Sequence, residues 1–186
     1  GTTRCAKPQI SIGRIDELGI LWWQTGCLEV FHNTIYGFDP TLDGYQALLY
    51  VTSGSSEIAI YNNLLVNTAD CDVSPNLSTL RIADDVSQIV CDYNAYHATD
   101  DRAPMFHANG IYNTQLQWET YRAQNSFDAN SPPPQALHLA DPSREDFTLL
   151  ENSVAVDAGT ELVGVNDDFL GKAPDLGANE SPHTRD

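Results

Sequence analysis

The chain has 186 residues, with 9 Lys and Arg against 26 Asp and Glu, a formal charge of −17. That length suits one domain with a real core, not two joined by a linker. So acidic a chain lacks the cations that displace counterions from nucleic acid, and an anionic membrane surface repels it. No apolar run approaches the roughly 20 residues of a bilayer span; the longest candidate is Gly19–Trp23.

Residues 1–18 read as a lead-in or cap, opening on Gly1 as a processed or trimmed N-terminus would. Cys5, Cys27, Cys71 and Cys91 lack the short paired spacings of a zinc site. Two disulfides in an oxidising compartment fit them better. Cys5 and Cys27 would staple one turn of chain. Cys71 and Cys91 either bridge, or Cys91 is a small buried apolar residue.

Residues 19–115 carry a repeat. Leu28, Val30, Asn33 and Ile35 match Ile58, Ile60, Asn63 and Leu65, then Ile89, Cys91, Asn94 and Tyr96, at periods of 30 and 31 residues. An alternating pair precedes each set: Gly19/Leu21, Leu49/Val51 and Leu80/Ile82. Alternation over so few residues predicts short strands with one buried face. Such a unit cannot bury that face alone, so repeats must stack as coils, pairing equivalent strands in parallel. Leu28, Ile58 and Ile89 then form one inward column, and Val30, Ile60 and Cys91 the next. Asn33, Asn63 and Asn94 are expected at tight bends, where Asn tolerates left-handed backbone and stacked amides satisfy one another.

Residues 116–186 fall outside the repeat and carry turn-forming runs. The turns Asp157-Ala158-Gly159 and Asp175-Leu176-Gly177 are expected to close the open end of the last coil, their carboxylates accepting backbone N–H groups. The alternative is calcium held by Asp157, Asp168, Asp175 and Glu180.

The Asn column, with "DFTLLENSVAVDAGT" and "DDFLGKAPDLGANE", resembles the right-handed parallel β-helix superfamily of pectate lyases, chondroitinase B and alginate lyases. The likeness covers most of Leu21 to Glu180, with Val154, Leu176 and Asn179 departing from the closing pattern, and it implies that residues 116–186 form a short helix, on "LQWETYRAQNSFDANS" (Leu116–Ser131), and a closure. It implies an all-β, single-stranded parallel β-helix of about three complete coils plus a C-terminal closure, secreted or at the extracellular surface. It also implies more coils upstream, on another chain or through end-to-end self-association.

Alternation points Trp22, Tyr50 and Arg81 outward as one column, and Ile20, Leu48 and Thr79 as another. In the resembled family this face forms the substrate groove. Aromatic faces suit pyranose C–H surfaces, and a guanidinium suits a uronate carboxylate. Uronate elimination needs carboxylate neutralisation, a base for the C5 proton and an acid for the leaving oxygen. Arg81, or a cation held by Asp84 and Asp85, would neutralise. His97, Arg102 or His107, in a long loop after the third coil, would supply the base. No lysine lies between Lys7 and Lys172, which weakens a complete lyase site. His32 and His138 read as carrying no chemistry. The competing expectation is a non-catalytic structural or adhesive rod, with the face under a loop or another subunit.

Overall fold

The computed structural model describes residues 26–37, 46–51, 55–72, 77–84 and 86–185. Among the described residues, twelve strands alternate with bends and loops. They are β1 (Gly26–Phe31), β2 (Thr34–Gly37), β3 (Gln46–Val51), β4 (Ser55–Tyr61), β5 (Leu64–Asn67), β6 (Leu77–Ile82), β7 (Ser87–Asp92), β8 (Ala95–Ala98), β9 (Pro104–Ala108), β10 (Ile111–Thr114), β11 (Leu139–Asp141) and β12 (Asp146–Leu149). The helix is shorter than expected: a 3-10 turn at Gln115–Gln117 leads into α1 (Trp118–Asn125), which ends at Ser126 in left-handed backbone.

The chain is mostly strand, arranged in parallel sheets. β1, β4 and β7 form one, β2, β5 and β8 a second, and β3, β6 and β9 a third, to which β10 adds antiparallel. Register follows the repeat. Leu28 lies opposite Ile58 and Ile58 opposite Ile89; Val30, Ile60 and Cys91 align; Leu49 faces Leu80 and Val51 faces Ile82. Val30, Ile60 and Cys91, with Ile35, Leu65 and Tyr96, and Leu49, Leu80 and Phe106, are buried in one apolar cluster. Each fully buried side chain of this size stabilises by about 1.5–3 kcal/mol.

The bends differ from expectation by one residue. His32, Asn62 and Tyr93 take the positive φ angles, 52°, 56° and 54°. The next residues, Asn33, Asn63 and Asn94, are buried and point their amides inward. One left-handed residue suffices to turn the chain. The following Asn then answers the carbonyl two residues back, as Asn63 Nδ2 does with Tyr61 O at 2.9 Å. Asn33 donates from N and Nδ2 to Asn63 Oδ1, at 3.0 and 2.9 Å. Asn63 does the same to Asn94 Oδ1, at 3.0 and 2.9 Å.

The column ends on a buried polar cluster. Asn94 N donates to Ser131 Oγ at 2.8 Å, and Ser131 Oγ donates to Asp128 at 2.6 Å. Asp128 also accepts from Tyr121 at 2.9 Å and Tyr96 at 3.2 Å. Burial pushes its carboxyl up to about 6, against the pull of those donors. Trp118 and Tyr121 of α1 bury beside it, Tyr121 stacked on Phe106 at 3.9 Å. The end of the inner column at the third repeat is therefore covered by α1 and its following turn, not by the C-terminal closure.

The closure lies elsewhere. Leu137, Leu149, Ala155, Val156 and Leu176 pack on Leu64, Val66 and Ala95, the outer side of the second sheet. It spans all three repeats, since Ala178 N donates to Thr34 Oγ1 at 3.0 Å and Gly177 N to Asn62 O at 2.8 Å. Gly177 has φ +105°, and a Cβ there would sit 2.7 Å from Thr34 Oγ1. The outer row Thr34, Leu64, Ala95 is apolar or small, so it needs a cover; the closure supplies it.

Cys71 and Cys91 do not bridge. Cys91 faces inward, 3.6 Å from Tyr96 Oη, while Cys71 N lies in a loop beside Asp100. The Cys5–Cys27 pairing lies outside the described residues. No helix among the described residues is long and apolar enough to cross a membrane.

Candidate functional site

The outer face of the third sheet collects the chemistry. Tyr50 on β3 lies opposite Arg81 on β6, Arg81 opposite His107 on β9, and His107 opposite Tyr112 on β10. Strand neighbours sit about 4.8 Å apart, so four side chains form one continuous row. The Arg81 guanidinium carbon lies 4.8 Å from the Tyr50 ring centroid. His107 stacks on Tyr112, with centroids 3.9 Å apart and planes 10° off parallel. Tyr50, Arg81 and His107 are half-buried, and Tyr112 is 42% exposed.

His107 was expected in a long loop but belongs to a strand. The reason is Asn109-Gly110, with φ of 50° and 71°, two consecutive positive values that make a tight hairpin turn between β9 and β10. Asn-Gly between "MFHA" and "IYNT" is the sequence signal that would have revealed this hairpin and Tyr112 with it. Burial is the main influence lowering the His107 pKa, the Arg81 charge adds to it, and Asp84 opposes both. Those surroundings favour the neutral ring. Its Nδ1 is buried without a hydrogen-bond partner among the described residues.

The other expected base candidates lie apart. His97 aligns with Val66 and Tyr36 on the outer face of the second sheet, on a different sheet from Arg81. Burial lowers its pKa, with Asp101 opposing. Arg102 is exposed and held by carboxylates: 3.0 and 2.7 Å to Asp100 and 2.8 Å to Asp72. Hydrogen bonds to those acids raise its pKa, and Arg102 holds Asp100 well below the usual carboxylate range. A guanidinium held in this way by carboxylates is a poor base for a C5 proton.

The second expected outward column is covered. Leu48 and Thr79 are buried, and Leu48 joins Met105 in the main apolar cluster. Among the described residues of this face, the row through Arg81 is the open one. Trp22, Ile20 and Asp85 lie outside the described residues. Asp84 is exposed, its Oδ2 3.8 Å from where a Cβ on Gly110 would be.

No three His, Cys, Asp or Glu side chains gather as a metal site among the described residues. The closing acids are occupied by backbone donors. Asp157 accepts from Lys172 N and Arg185 N, Asp175 from Asp157 N and Ser181 N, and Glu180 from Asp175 N, at 2.6–3.1 Å. Asp168 is exposed. These carboxylates act as turn acceptors where calcium was the alternative.

Compared with models of protein families, with curated proteins and with solved structures, the chain has no significant match. Function therefore has to be argued from the side chains themselves.

Proposed function

We propose that the three parallel sheets wind as a right-handed parallel β-helix of the pectate lyase-like kind, and that the chain is a secreted protein engaging acidic polysaccharide across its third sheet. Consecutive strands fall in different sheets and return in register about one repeat later, which is what a coil does. The right hand follows the general preference for parallel crossovers. The observation that carries the functional reading is the row Tyr50, Arg81, His107, Tyr112.

Each member has a role in that reading. Arg81 pairs with a uronate carboxylate, and Tyr50 and Tyr112 offer ring faces to the sugar. A neutral imidazole beside a guanidinium is suited to accept a proton. In a β-elimination, His107 takes the C5 proton, the C–H electrons form the C4–C5 double bond, and the C4–O bond breaks. The leaving oxygen takes a proton from the Tyr112 hydroxyl or water. Arg81 stabilises the charge that develops on the carboxylate.

The test is incubation with alginate, pectate and chondroitin, read by ultraviolet absorbance of the unsaturated product and by calorimetric binding. Binding to at least one polymer, lost in Arg81→Gln, is expected. Absence of both binding and product with all three, in a chain carrying any upstream coils, overturns the proposal. Binding without product leaves recognition and removes the lyase step.

A second reading has its own observation. Leu48, Thr79 and Met105 are covered on this same face, as a structural or adhesive rod requires. In that reading further coils or a second copy add end to end. The polymer assays separate the two, because a rod shows neither binding nor product.

A further inference from the structure

His32 sits at the bend between β1 and β2, and its ring faces two fixed amides. Nε2 lies 3.0 Å from Asn62 Nδ2 and 2.8 Å from Asn166 Nδ2. Neither amide can turn round. Asn62 Oδ1 accepts from Thr160 N at 2.9 Å while its Nδ2 donates to Thr160 O at 2.7 Å. Asn166 Oδ1 accepts from Leu162 N at 2.6 Å, and its Nδ2 also donates to Thr160 O at 3.1 Å. Both amides thus present N–H groups to the imidazole. Nε2 must accept, and the ring proton sits on Nδ1, the nitrogen left for the Gly177 backbone hydrogen bond. One neutral ring joins the first repeat to the second and to two points of the closing segment.

We propose that His32 is an acid-released latch that holds residues 160–177 against the first two repeats. Protonation places an N–H on Nε2, facing two N–H groups and no acceptor. Turning the ring over gives no relief, because imidazolium carries N–H on both nitrogens. The bonds to Asn62 and Asn166 are then lost together, and a half-buried donor is left unmatched.

The surroundings leave the ring to act alone. Burial lowers its pKa and the Gly177 backbone opposes this; no charged neighbour contributes. Glu29, Tyr36, Glu57, Tyr61, Asp92 and Tyr93 are titratable groups of the adjoining strands and bends, and Lys172 is the cation of the closing segment. On the closing segment, Asp157, Asp175 and Glu180 accept backbone N–H groups, Asp167 accepts from Gly164 N, and Glu161 and Asp168 are exposed. The released state has a His pKa near the ordinary 6.5, above that of the latched state, so it binds more protons in acid. Latching is therefore complete above that pH and declines below it. Glu180 works the other way: burial raises its pKa, which favours the latched state in acid.

Amide hydrogen exchange of residues 155–180, corrected for intrinsic rates, tests this between about pH 7 and about pH 5. Opening of the segment is expected to rise by up to about tenfold per pH unit below the ordinary His pKa, with β4 and β5 unchanged. His32→Gln keeps an acceptor oxygen without a titrating proton and should be flat with pH. Asn166→Asp faces the ring with a carboxylate, so acid should tighten the segment instead. Exchange that does not change with pH in the unaltered chain overturns the latch. So does an equal acid loss in His32→Gln or in Asn166→Asp.

Discussion

Two polar lines run across the repeats of this molecule, one inside and one outside. Asn33, Asn63, Asn94, Ser131 and Asp128 form the inner line, buried and hydrogen-bonded from rung to rung. Tyr50, Arg81, His107 and Tyr112 form the outer line, half-open to solvent. The same register builds both. They differ in what surrounds them. Inside, no water competes, so every donor must find a protein acceptor and the line locks the stack. Outside, polar atoms keep access to solvent, and through it to a ligand.

The sharpest break in that contrast is Asn63→Ala. It strips the acceptor from Asn33 N and Nδ2 and the donor from Val30 O and Tyr61 O. Several buried groups lose partners at once, so a loss of about 3–5 kcal/mol in chemical denaturation is expected.

Next comes the end of the inner line. The folded-state pKa of Asp128 is raised from 3.8 to about 6, so the folded chain binds more protons between those values. Its contribution makes the fold most stable below that window, declining as pH rises through it and level above. The change is on the order of 2–3 kcal/mol. Asp128→Asn should remove this slope in denaturation curves taken across the window. A slope that survives the substitution would place it on other groups. His32 acts with the opposite sign and on the closing segment, so the two are separable by region.

Gly177→Ala tests the cover on the second sheet. It combines a left-handed backbone with a methyl 2.7 Å from Thr34 Oγ1 and 3.2 Å from Leu64 Cβ. A loss of about 1–3 kcal/mol is expected, with raised exchange in the closing segment before the core.

Smallest in stability is Arg81→Gln on the outer line. Losing its contact with Tyr50 should cost about 0.5–1 kcal/mol, while retention on a uronate polymer disappears. A large stability loss without any effect on binding would make the outer line structural like the inner one.

Much of this was legible in the sequence because stacking in parallel preserves spacing. Equal periods put Val30, Ile60 and Cys91 in one column, and the same arithmetic placed Tyr50 beside Arg81. His107 joined them through a shorter return, a strand ending in the Asn109-Gly110 turn, which no period of 30 or 31 residues anticipates. Likewise Asp128, Ser131 and the helix aromatics have no counterpart in the repeats.

Local pattern alone therefore determined the strand positions and register within the three repeats and the inward Asn column, since alternation and period act between neighbours in sequence and in space alike. Tertiary structure alone decided what covers each face. It set α1 and Asp128 over the third repeat, laid the closure across the second sheet, and brought Asn166 to His32 from 134 residues away. Those choices depend on which exposed surface each segment can shield from water, and that surface exists only once the repeats have stacked.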